Sequence, residues 1–115
     1  MAVLVTLATA TICFLNQCHP ILFGKATPVG EFQLQLRLTD SVGYGGDVIQ
    51  FYEDDTSVMA IHRLWRLSPA QHREERILSP NPKDHEISGG CINVEPEVYE
   101  QLKNCCSTDK LTIVK

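Results

Sequence analysis

No lysine or arginine occurs before Lys25. A secretory leader opens on a basic stretch, so the apolar start MAVLVTLATA lacks that part of the signature, although Ala8, Thr9 and Ala10 resemble a signal-peptidase site. Long apolar runs are missing too. Nothing approaches the roughly 18 residues that cross a bilayer, so no transmembrane segment is expected. Positive charge is scarce: 10 Lys and Arg stand against 14 Asp and Glu, a net charge of −4. The basic residues are dispersed, with mixed signs at Arg73, Glu74, Glu75 and Arg76, and a nucleic-acid partner would find no electrostatic footprint. There is no C-x-x-C, no H-E-x-x-H and no paired ligand spacing, so no metal site is expected. Gly43, Gly45 and Gly46 give G-x-G-G without the Lys or helix that completes a phosphate cradle. No cofactor is expected, and repeats and low-complexity tracts are absent.

What remains is one domain, 1–115, with 43% hydrophobic and 21% charged residues, enough for a core of its own. The five cysteines are Cys13, Cys18, Cys91, Cys105 and Cys106. Their odd number leaves at least one thiol unpaired. Residues 1–10 are either a remnant signal or a first strand; Val3, Val5, Thr6 and Thr9 carry the strand reading.

The patterning is mainly β with two short helices. Residues 3–15 read as one or two strands, Asn16 and Gln17 as a turn, and residues 20–23 as a short strand. Four residues separate Cys13 from Cys18, so such a hairpin sets them opposite each other. A disulfide and a pair of buried thiols both fit that spacing. From Glu31 to Leu38 the alternation is strict: Phe32, Leu34, Leu36 and Leu38 share one face. Strands are also expected at 48–52, 57–64 and 111–114. Ser68 as N-cap, with Pro69 behind it, starts a polar helix to about Arg76. Glu95 and Pro96 begin a second helix that buries Val98, Leu102 and Tyr99.

Cys91 stands out among the thiols because it follows Ser88, Gly89 and Gly90. Glycines permit close approach of another molecule. Outward N–H groups of Gly90 and Cys91 would hold an oxyanion, and the nearby start of the second helix would favour a thiolate. A buried structural cysteine in a tight turn is the plainer alternative. A nucleophilic thiol needs a base, and the chain has four histidines. His62 ends the apolar strand VMAIHRL, His85 lies close to Ser88, His72 is on the polar helix and His19 lies near the hairpin. A satisfied core histidine is the plainer reading of His62. Cys105 and Cys106 suit neither a metal clamp nor a relaxed mutual disulfide.

Three segments in order, TPVGEF at 27–32, AIH at 60–62 and SGGCIN at 88–93, resemble the catalytic domain of the L,D-transpeptidase (YkuD-type) family. That family carries a T-P-x-G-x-F element, a strand ending in I-H and an S/T-H-G-C signature. The resemblance spans about 21–102 and implies a β-sandwich or barrel domain, here minimal or N-terminally truncated. It implies Cys91 as nucleophile and His62 as general base, with the Arg63 carbonyl orienting the imidazole. Ser88 would shape the loop, and Gly90 and Cys91 would form the oxyanion hole. Arg63 and Arg66 are candidates for substrate carboxylates, and Gly89, Asn93 and His85 for further substrate contacts. Gly89 stands where the family has histidine. The implied activity is thioester-mediated cross-linking of peptidoglycan tetrapeptide stems by a monomer in the cell envelope or periplasm of a bacterium. A hydrolase (an L,D-carboxypeptidase) or a non-catalytic binding module on the same scaffold are the alternatives. An envelope location also favours the Cys13–Cys18 disulfide.

Overall fold

A computed structural model describes residues 2–40, 42–65, 67 and 69–115, apart from the side chains of Val42 and Ser88. The chain begins with β1 (Ala2–Thr6) and the hairpin β2 (Thr11–Phe14) and β3 (Gln17–Pro20). Short β4 (Phe23–Gly24) precedes the loop into β5 (Gly30–Gln33) and β6 (Gln35–Leu38), and a 3-10 turn, Val42–Tyr44, leads into β7 (Asp47–Glu53) and β8 (Val58–Arg63). A crossover follows, built of a 3-10 turn at Pro69–Gln71, α1 (Arg73–Arg76), a second 3-10 turn at Pro82–His85 and β9 (Glu86–Ser88). Then come β10 (Ile92–Val94), α2 (Pro96–Cys106) and β11 (Lys110–Val114).

The strands form a five-stranded sheet, β3-β2-β1-β11-β5, a four-stranded sheet, β10-β8-β7-β6, and a two-stranded pair, β4-β9. None of these closes into a barrel among the described residues. One core joins both large sheets to α2: Val3, Val5 and Ile113 from the first, Ile49, Ile61 and Ile92 from the second, and Tyr99 and Leu102 from the helix. Fully burying side chains of this size stabilises by about 1.5–3 kcal/mol each. The fold is therefore mainly β with two short helices, as the patterning predicts.

Residues 2–6 take the strand reading. β1 sits between β2 and β11, and Val3 and Val5 are fully buried. The hairpin turns one residue earlier than expected, at Leu15 and Asn16, both at positive φ as a two-residue hairpin turn requires. The returning strand is thus Gln17–Pro20 rather than 20–23, with Cys13 directly opposite Cys18 and a disulfide joining them. Cys105 and Cys106 are also joined to each other, at the end of α2. That differs from the expectation of two sulfurs unsuited to a mutual bridge.

The alternating segment 31–38 is two strands, not one. β5 pairs with β11 in the first sheet and β6 with β7 in the second. Leu34 lies between them, buried, its N–H donated to the Asp109 carbonyl. After this change of sheet the face that carries Phe32 and Leu34 inward no longer meets the core, and Leu38 is 80% exposed. The polar helix is interrupted too: His72 adopts φ 54°, separating the 3-10 turn from α1. Its expected cap, Ser68, lies outside the described residues.

Candidate active site

β8 is an apolar central strand, and it carries His62 into the interior at 3% exposure. The imidazole Nδ1 lies 2.7 Å from the carbonyl oxygen of Arg63. A carbonyl only accepts, so Nδ1 holds the proton and Nε2 keeps its lone pair. Burial disfavours the imidazolium, and the positive charge of Arg73 adds to this. Together they outweigh the opposing bond to the Arg63 carbonyl and bring the pKa down to about 4. At neutral pH His62 is an uncharged ring with a fixed tautomer. The Tyr44 ring packs edge-on against it at 4.6 Å, and Trp65 packs on Tyr44 at 4.9 Å. Gly43 makes room for this stack: a Cβ there would lie 2.2 Å from the Trp65 ring.

Cys91 lies in the loop between β9 and β10 and is the cysteine outside both disulfides. The parallel register Ile92↔Ile61 and Asn93↔His62 brings it alongside β8. Thr27 anchors the loop from the other side. Its hydroxyl accepts from the Gly24 N–H at 3.0 Å and donates to the Gly90 carbonyl at 3.1 Å, while the Ala26 N–H donates to the Gly89 carbonyl at 2.9 Å. The T-P-x-G element thus ties down the S-G-G-C loop. A Cβ on Gly90 would press within 2.7 Å of Met59, whereas one on Gly89 meets only open space. Cys91, His62 and Tyr44 together line two adjoining cavities, of about 350 and 260 Å³. The first continues past Arg37, Leu38 and Asp40, and the second past Trp65, Arg73 and Gly89. A half-buried thiol and a neutral imidazole whose Nε2 keeps its lone pair, in one cleft, are the parts of a nucleophile and base pair.

Several solved structures with this arrangement of strands and helices are L,D-transpeptidases. The enzyme from Mycobacterium smegmatis superposes with a TM-score of 0.61 at 17% identity, over 99% of this chain and 58% of that one. Residues 123–326 of the Xylanimonas cellulosilytica DSM 15894 enzyme give 0.62 at 14%, over 98% and 59%. LdtMt1 in complex with imipenem gives 0.64 at 16%, over 98% and 58%. This chain has the fold of an L,D-transpeptidase. It spans a little under 60% of the length of these three solved chains. No family model and no curated protein matches its sequence.

Within the L,D-transpeptidase fold the expected site residues separate into those at the cleft and those away from it. Cys91, His62, Gly89 and Gly90 meet there. Arg63 does not serve as a free substrate cation. Its guanidinium pairs with Asp47 at 3.0 Å and Glu100 at 2.7 Å and stacks 4.1 Å above the Tyr99 ring. Its backbone carbonyl alone reaches the site. His85 is buried elsewhere, its ring nitrogens at 2.7 and 2.8 Å from the carbonyls of Ile21 and Ser79. Asn93 is fully buried, and its Oδ1 accepts from the Trp65 N–H and from Arg73, so it is a strut behind the cleft rather than a substrate contact. Arg66 and the side chain of Ser88 lie outside the described residues. β10 and Glu95 stand between Cys91 and the start of α2, at about 3.3 Å of rise per strand residue. The cation that shares a cavity wall with Cys91 is Arg73.

Four residues at the site carry no sequence signal strong enough to single them out. Tyr44 lies in a glycine-rich loop that reads as punctuation. Trp65 trails a strand. Arg73 belongs to a mixed-sign run that reads as solvated surface. Thr27 belongs to the T-P-x-G-x-F element, whose pattern does not say what the hydroxyl holds.

Proposed function

We propose that the protein is a cysteine acyltransferase of the L,D-transpeptidase type, acting on peptidoglycan tetrapeptide stems in the bacterial cell envelope. The observation that carries this reading is the pairing of Cys91 with His62 in one cleft, with Nδ1 of the imidazole fixed on the Arg63 carbonyl. Nε2 takes the Sγ proton. Sγ attacks the carbonyl carbon of the bond between the diamino-acid L-centre and the terminal D-alanine, and the oxyanion forms against backbone N–H groups of Gly90 and Cys91. As the C–N bond breaks, Nε2 returns the proton to the departing amine, leaving a thioester. An amine from a second stem then gives a cross-link, and water gives hydrolysis. Ser88 shapes the loop, and the chain acts as a monomer.

The open space at Gly89, where the family's histidine would stand, favours a second reading in which water is the acceptor and the protein is an L,D-carboxypeptidase. Incubation with purified disaccharide-tetrapeptide, followed by mass spectrometry, decides between them. Dimer formation supports transpeptidation, and tripeptide alone supports hydrolysis. If wild type and Cys91→Ala are both inert, and imipenem leaves no adduct on Cys91, the enzymatic reading falls and a non-catalytic peptidoglycan-binding module remains.

A further inference from the structure

Arg73 lies on the wall of the smaller cavity with Tyr44, His62, Trp65, Gly89 and Cys91. It is half-buried, and its recorded partners are both neutral amide oxygens. Nε donates to Gln71 Oε1 at 2.8 Å, and Nη1 donates to Asn93 Oδ1 at 2.7 Å. Among the described residues no carboxylate pairs with it and no acceptor meets Nη2. A partly buried cation without a counter-ion is costly, and structures keep few of them without a use. This one is also held firmly from behind. Asn93 is fully buried and its Oδ1 is shared with the Trp65 N–H, so the guanidinium has a fixed rear edge and an open front. That front is a planar fork of N–H donors, the shape that matches a carboxylate.

The chemistry next to Cys91 says which carboxylate. In the amide that the proposed reaction cleaves, the departing nitrogen belongs to a terminal amino acid. Its carboxylate is on the carbon attached to that nitrogen, two bonds from the breaking C–N bond. An amine acceptor attacking the thioester occupies the same place, by reversal of the step. Resting on the acyl-transfer reading above, we infer that Arg73 binds the carboxylate α to the reacting nitrogen, and so selects donor peptides with a free C-terminus and acceptors that carry an α-carboxylate. It is a specificity-determining residue contributed by the crossover between β8 and β9. Asn93 is its positioning residue.

Two tetrapeptide stems that differ only at the C-terminus, free acid against carboxamide, test this. In the Cys91→Ala chain, which holds peptide without turnover, calorimetric titration should find the acid bound about 10- to 100-fold more tightly than the amide, the range of one charge-assisted bond. Adding Arg73→Gln should bring the acid to the level of the amide and leave the amide unchanged; Arg73→Lys should recover part of the difference. With Cys91 intact, the acid-to-amide ratio of kcat/KM should fall toward one in Arg73→Gln. Equal binding of both peptides by the Arg73-bearing chain overturns the inference, as does an Arg73→Gln loss that is the same for both. Arg73-dependent preference for the acid without any turnover by wild type leaves the inference standing and removes the enzymatic reading. Should Arg73→Gln fail to fold, the acid-to-amide ratio of the Arg73-bearing chain and the Arg73→Lys variant still decide.

Discussion

Arg63 and Arg73 stand ten residues apart in the chain and meet opposite surroundings. Around Arg63 the charges close on one another. Asp47 receives Arg63 at 3.0 Å, Lys103 at 2.7 Å and the Tyr99 hydroxyl at 2.8 Å, and Glu100 takes the other side of the guanidinium. Burial alone would raise the Asp47 carboxyl. The bonds from Lys103, Tyr99 and Arg63 outweigh it and hold the group below the usual carboxylate range. This cluster clamps α2 onto β7 and β8 and fixes the backbone whose carbonyl orients His62. Among the described residues Arg73 hydrogen-bonds only to amide oxygens, and the charge is left facing a cavity. Satisfied charge marks the scaffold, and unsatisfied charge marks the cleft.

Four substitutions and conditions set the two regions against each other. His62→Ala should cost the most at the cleft: acylation of Cys91 by imipenem, followed by intact mass, should slow about 10²- to 10⁴-fold at pH 7. The loss should narrow at alkaline pH, where hydroxide can take the thiol proton; an equal loss at both pH values would remove the base. Asp47→Asn should damage the scaffold instead, lowering urea-unfolding stability by about 3 kcal/mol because Arg63 and Lys103 lose their shared anion. A change below about 1 kcal/mol would mean that the cluster does not hold α2.

Acid should act through His62. An unfolded histidine takes up its proton near 6.5, whereas His62 does so near 4, so the unfolded chain binds more protons between those values. Stability is therefore full above about pH 6.5 and falls as pH drops toward 4, by about 2 kcal/mol between pH 7 and 5. His62→Gln should flatten that part of a urea stability profile, and coincident slopes in the two proteins would contradict a buried neutral ring. The smallest change expected is from Thr27→Val, which removes the hydroxyl between Gly24 and the Gly90 carbonyl. It should cost about 1–2 kcal/mol of stability and slow acylation more than it weakens peptide binding. An unchanged acylation rate would separate Thr27 from the placement of Cys91.

What could be read from the sequence follows from how local the physics is. Strands β7, β8 and β11 and helix α2 were legible because one face of each meets the core, as Ile49, Ile61, Ile113 and Leu102 do. The segment 31–38 misled because alternation reports two faces but not which sheet covers them; only the pairing of β5 with β11 and of β6 with β7 tells. At the site, Cys91 and His62 were legible through their neighbours in sequence. Arg63 was misread as a substrate cation because the carboxylates that claim it, Asp47 and Glu100, are 16 and 37 residues away. Arg73 was missed for the complementary reason: nothing in the sequence shows that Asn93, 20 residues on, holds it at the cavity.

The two disulfides have a practical meaning for Cys91. With Cys13 bound to Cys18 and Cys105 to Cys106, four of the five cysteine sulfurs are spoken for. Without reductant, an alkylating reagent meets a single thiol, so the label per chain becomes a direct count of reduced, unacylated Cys91 in any preparation.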